Sequence, residues 1–220
     1  MTEHEFVTRF LDINQPMEET IGRHSTLILL LRSARSLSGR NVHTGVYEGN
    51  EFTVENFTGG TYLSFQYSGL ISYLIFLEQI GSIFRPSQAA TIKKTAIFKA
   101  LKYFGQLPEE KINAIVGLRN SVAHKFGLAT EKAPKSLAPQ KFTLSWERNS
   151  TIVQLPPTPW SGNFSDKSNS SSTIVYLHNL RDMIEDIFHT IVRENRNGNI
   201  ILALDDGIEE LKARYTIVYG

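Results

Sequence analysis

From Tyr62 to Phe84 the chain reads "YLSFQYSGLISYLIFLEQIGSIF", which is apolar on nearly every side of a helix. Such a helix has no wet face and has to be surrounded by other elements. The pattern therefore predicts a central core helix, and Glu78 is its single charged residue. The continuous apolar run from Leu70 to Phe84 includes Glu78 and falls short of the roughly 20 residues that cross a bilayer. A membrane span is not expected.

Helical patterns flank this stretch. "TEHEFVTRFLDI" and 17–37 precede it, the second with acidic residues early and arginines late, as suits the helix dipole. The segment around Gly49-Asn50 reads as a hairpin or irregular loop. Ser87 is the expected N-cap of a helix through Phe104, with Gly105 closing it. Pro108 opens the next helix, with Glu109 and Glu110 in its first turn. "KFTLSW" and "STIVQL" read as two strands of a hairpin joined by "ERN", followed by proline- and serine-rich sequence. A long helix is expected from Thr173 to Asn195, with Leu177, Leu180, Ile184, Ile187, Phe188 and Ile191 as its core stripe. A last short helix has Asp205 or Asp206 as its cap.

These elements predict an all-α fold: an antiparallel helical bundle with a small β-hairpin insertion, as a single domain over 1–220. Within it, 1–61 carries N-terminal helices and a hairpin or loop, and 62–127 the core helices. The hairpin and Ser/Pro-rich insertion occupy 128–172, and the closing helix and C-terminal segment 173–220. A length of 220 residues, 41% hydrophobic, suits one globular domain. A net charge of +1 offers no broad basic surface for wrapping nucleic acid. With no cysteine, disulfides and thiolate chemistry are absent. The N-terminus has no signal-peptide core. The expectation is a cytoplasmic protein, in which the sequons at Asn56, Asn149, Asn163 and Asn169 carry no glycan.

The helix opened by Pro108 breaks its own pattern in "GLRNSVAHKFG", Gly117 to Gly127. On a wheel of about 100° per residue, Ile112, Ile115, Val116, Val122, Ala123 and Phe126 fall within about 60° of Arg119. The arginine is thus centred on the apolar stripe, and leaving a guanidinium unpaired there costs several kcal/mol, on the order of ~3 or more. It requires an anion, and Glu78 is the natural one. Beside it, at roughly 100–160°, run Asn113, Gly117, Asn120 and His124. Asn120 and His124 are four apart and within reach of each other. Gly117 leaves room for another surface. An arginine fork suits phosphate oxygens, and an imidazole moves protons near neutrality.

The segment "RNSVAH", Arg119 to His124, resembles the Arg-x4-His motif of the HEPN superfamily in its common Arg-Asn-x-x-x-His form. The resemblance covers roughly Tyr62 to Asn195 and leaves the N-terminal segment and the 128–172 insertion unexplained. It implies an all-α bundle that dimerises through the motif helix to form one composite site. It further implies a metal-independent endoribonuclease of the kind found in toxin–antitoxin, abortive-infection and other anti-phage defence systems. Arg119 would contact the scissile phosphate, His124 would serve as general acid/base or stabilise the transition state, and Asn120 would position the histidine or the phosphate. Glu78, Asn113 and Lys125 are supporting candidates. The implied partners are RNA, a second copy, and an antitoxin or other defence-system protein. No cofactor is implied.

Rival readings are a non-catalytic HEPN-like module that binds RNA, nucleotide or a partner protein, and a structural helix whose Arg119 is salt-bridged to Glu78. His4, His24, His43, His178 and His189 show no ligand spacing, so no metal site is expected. Lys93, Lys94, Lys99 and Lys102 read as a solvated face or as lysines flanking an RNA cleft. Tyr103 and Trp160 are core aromatics or base-stacking candidates.

Overall fold

The computed structural model describes residues 2–14, 17, 22–49, 59–130 and 138–218. Helix α1 (Glu3–Phe10) begins with a capping box between Thr2 and Glu5. Strand β1 (Arg23–Ser25) leads into α2 (Thr26–Leu37), where the Ser25 hydroxyl accepts from the Ile28 N–H. The apolar stretch forms α3 (Gly59–Ile83), followed by β2 (Phe84–Pro86), α4 (Ala96–Tyr103) and α5 (Glu109–Lys125). Next come β3 (Ala129–Thr130), β4 (Gln140–Ser145), β5 (Val153–Gln154) and β6 (Thr173–Tyr176). The chain finishes with α6 (Leu177–Arg196), β7 (Ile200–Leu202), α7 (Gly207–Tyr215) and β8 (Thr216–Val218).

Helix α3 is the centre of the core, as its composition predicts. Leu70, Tyr73, Leu74, Phe76, Leu77, Ile80 and Ile83 are buried. Two glycines set its neighbours. Gly69 lies against Leu37 and Ser38 at the end of α2, and a Cβ on Gly81 would stand 1.8 Å from the Ala96 carbonyl oxygen of α4. The α6 stripe is buried at all six expected positions. Among the described residues no helix is long and apolar enough to cross a membrane.

The fold is mixed α/β, not all-α. Among the described residues there are three sheets: β1 with β8, β2 with β7, and a four-stranded sheet ordered β3-β4-β6-β5. The expected hairpin does not form. Between its two strands lies β6, parallel to β4 (Phe142 opposite Thr173) and antiparallel to β5 (Val153 opposite Val175). Strand β6 occupies the first four residues of the segment expected to be helical. The run Thr173-Ile174-Val175-Tyr176 is β-branched and aromatic, which favours a half-buried pleated surface. Phe142, Val153 and Val175 fill the sheet's buried side.

Other boundaries differ as well. Ser87 caps no helix, because α4 starts only at Ala96; Arg85 donates to the Ala89 carbonyl and the Tyr103 hydroxyl to that of Ala90, holding the intervening chain in an irregular course. The helix expected over 17–37 yields first to β1, and its residues 18–21 lie outside the described residues. In the segment around Gly49-Asn50, residues 50–58 do so too, while Arg40 and Tyr47 before them form an antiparallel bridge. Asp206 stands at the cap position of α7 without a side-chain cap bond.

Candidate functional site

Helix α5 carries the motif. Pro108 occupies the N-cap position rather than the first turn, and Ile112, Ala114, Ile115, Val116, Leu118 and Val122 are buried. Arg119 lies among them with a side chain only 17% exposed, and its Nη2 pairs with Glu78 Oε2 on α3. The anion that the wheel requires is therefore Glu78, whose side chain is 33% exposed. Removing it would leave a largely buried cation without compensation.

The other terminal nitrogen of Arg119 gathers the rest of the motif. Nη1 lies 2.7 Å from His124 Nε2 and donates to Asn120 Oδ1 at 3.3 Å. Arginine can only donate. His124 Nε2 is consequently the acceptor in this arrangement, and the proton of the neutral ring sits on Nδ1. Asn120 and His124 meet on the guanidinium rather than on each other. Arg119 Nε is buried with no partner. His124 itself is exposed. The result is an accessible imidazole whose basic nitrogen faces a cation held from behind by a carboxylate.

The neighbouring strip differs from expectation. A Cβ on Gly117 would lie 1.9 Å from Gln140 Oε1 and 3.3 Å from the Phe142 ring. The surface that approaches Gly117 is strand β4 of the same chain, not a second protomer. Asn113 is half-buried and, among the described residues, makes no side-chain hydrogen bond. The Lys125 side chain lies outside the described part of the chain. Among the described residues no group of three or more histidine, aspartate or glutamate side chains is placed to hold a metal ion.

Phe126 departs furthest from its expected place. The wheel puts it in the buried stripe, yet it is 76% exposed, because α5 ends at Lys125 and Phe126 adopts the left-handed conformation (φ 50°). Its N–H and that of Gly127 both turn back to the Ser121 carbonyl. Glycine ordinarily takes this position at a helix end, and an L side chain there costs on the order of 1–2 kcal/mol. The candidate stacking aromatics are less available. Trp160 is buried, donating to the Asn163 carbonyl with Phe164 edge-on to it. Tyr103 is half-buried with its hydroxyl engaged by Ala90.

A second polar cluster is not apparent from the sequence. Arg35 on α2 is fully buried, with Nε and Nη2 on the Glu185 carboxylate of α6 and Nη1 on the Val42 and His43 carbonyls. The Tyr73 hydroxyl donates to Glu185 at 2.6 Å. Burial, the adjacent carboxylate and this bond push the Tyr73 hydroxyl pKa far above its ordinary value. Arg40 and Arg148 converge on Asp182 one turn earlier. The side-chain pairs on Glu185 and Asp182 all join distant parts of the chain, so local spacing carries no trace of them. The arrangement ties α2, the 41–45 loop, α3 and α6 together.

Compared with models of known protein families, with curated proteins and with solved structures, the chain finds no match.

Proposed function

We propose that the protein is a metal-independent endoribonuclease of HEPN type, acting in the cytoplasm as a toxin or anti-phage defence effector. The observation that carries this reading is the 2.7 Å approach of Arg119 Nη1 to the acceptor nitrogen of an exposed His124. Those two groups are what RNA self-cleavage needs from a protein, since the substrate supplies its own nucleophile.

An RNA phosphodiester takes the place of the imidazole on Arg119 Nη1. The freed His124 Nε2 accepts the proton of the ribose 2′-hydroxyl. The 2′-oxygen bonds to phosphorus, the bond from phosphorus to the 5′-oxygen breaks, and the imidazolium returns its proton to the departing oxygen. The products are a 2′,3′-cyclic phosphate and a 5′-hydroxyl. Arg119 offsets charge on the phosphorane, Glu78 fixes the guanidinium through Nη2, and Asn120 positions the histidine or the phosphate. A homodimer with a composite site would meet at the Arg119–His124 end of α5, since β4 covers Gly117.

One observation favours the non-catalytic alternative: both terminal nitrogens of Arg119 are already engaged within the chain. The deciding experiment is cleavage of a single-stranded RNA pool in EDTA by wild type, His124→Ala and Arg119→Ala. Cleavage that both substitutions abolish supports the enzyme. Binding of RNA without cleavage by the wild type assigns the site to recognition alone.

A further inference from the structure

We propose that Phe126 is a nucleobase-stacking platform that positions RNA at the Arg119–His124 site. The inference rests on the RNA-directed reading of that site and adds a residue to it. Three observations carry it. Phe126 is, among the described residues, the most exposed large hydrophobic side chain. It has no ring partner, whereas exposed Phe164 packs edge-on against Trp160 and Tyr47 against His178. It occupies a left-handed backbone position with φ 50° although glycine follows at 127.

That last feature is the most informative. A helix end shifted by one residue would put Gly127 at the left-handed position and let residue 126 keep ordinary dihedrals. The chain instead holds a strained phenylalanine with its ring in water and gains no burial in return. Backbone strain that nothing in the packing repays is characteristic of positions kept for binding or catalysis. An unpartnered ring two residues along the chain from His124 would offer a π-face to a base of the RNA whose phosphate Arg119 would hold. Stacking on such a face accepts any base, because every base has one. It also needs no basic surface, which agrees with the net charge of +1.

The test uses the full chain and a fluorescein-labelled single-stranded RNA with all 2′-hydroxyls methylated, which binds without being cleaved. Phe126→Gly is expected to weaken binding about tenfold or more, while Phe126→Tyr and Phe126→Trp retain it. On cleavable RNA, Phe126→Gly raises KM with kcat little changed. The same Phe126→Gly protein is expected to melt at a higher temperature than wild type, since glycine relieves the strain. A ring with a merely structural role would give a lower melting temperature.

The proposal is overturned if Phe126→Gly binds the methylated RNA as well as wild type does, or if wild type does not bind it at micromolar protein. Light scattering supplies a third way to refute it: loss of affinity only because a dimer has become monomeric would make Phe126 a contact between copies. Failure here is separable from failure of the nuclease reading. Cleavage that depends on His124 but not on Phe126 sinks the platform alone, and Phe126-dependent binding without cleavage sinks the nuclease alone.

Discussion

Arg119 Nη1 and His124 Nε2 stand 2.7 Å apart five residues along one helix, and because arginine only donates, the imidazole is fixed as the acceptor. Nitrogen-15 NMR of histidine-labelled protein is expected to place the proton of the neutral His124 ring on Nδ1. Arg119→Ala is expected to release the ring into a mixture of tautomers. A wild-type ring with its proton on Nε2 would be incompatible with the contact.

Glycine at two close packing contacts, Gly81 of α3 against α4 and Gly117 of α5 against β4, has unequal weight. A side chain at Gly81 would run into the Ala96 backbone, which has no room to yield, whereas at Gly117 it would meet the end of the Gln140 side chain. Gly81→Ala is therefore expected to lower the unfolding free energy by about 3 kcal/mol, and Gly117→Ala by about 1 kcal/mol. Adding Gln140→Ala should restore most of the loss at Gly117 and none at Gly81. Urea denaturation of wild type and these four variants makes the comparison. Equal losses at the two glycines would argue against the packing of β4 on α5.

Glu185→Gln keeps the shape of the buried cluster but strands the Arg35 charge. It is expected to destabilise the fold by about 3–5 kcal/mol in chemical denaturation, in the range for breaking one side of a buried pair. A loss under about 1 kcal/mol would mean that Arg35 is not sealed from water.

Acid should weaken the same region in two stages. Burial is the largest influence on His178 and, with Arg181, Arg148 and Arg40, holds its pKa below the ordinary value. Burial is also the largest influence on Asp182 and acts to raise its pKa, but hydrogen bonds and charge from Arg40 and Arg148 outweigh it and the net shift is downward. For both groups the folded state binds its proton less readily than the unfolded chain. Stability is thus complete above the unfolded pKa and is lost as pH falls, from about 6.5 for the histidine and about 4 for the aspartate. Melting temperature should decline across both ranges, with His178→Gln removing part of the upper decline and Asp182→Asn part of the lower. Unchanged slopes in both variants would contradict the assignment.

Much of this could be read from residue patterns, and the rest could not for identifiable reasons. Glu78 is the lone charge in an apolar helix and Arg119 the lone charge in an apolar stripe, so their pairing follows from burial alone. The α3 and α6 cores follow from periodicity. Strand β6 was concealed because Tyr176 passes directly into Leu177 with no glycine or proline between strand and helix. Its parallel partner β4 is about thirty residues away, so a local hairpin was the natural but incorrect pairing for "KFTLSW". Arg35 and Glu185 are 150 residues apart, and the exposure of Phe126 depends on the helix ending one residue before it rather than on any wheel angle.

Everything proposed for the site turns on whether Arg119 and His124 cleave RNA. The most direct measurement is the end chemistry of RNA incubated with the purified protein in EDTA, compared with His124→Ala. Wild type is expected to yield fragments with 2′,3′-cyclic phosphate and 5′-hydroxyl ends, and His124→Ala at least about a hundredfold less product. Equal cleavage by the two proteins, or fragments bearing 5′-phosphates, would contradict that role for the two residues.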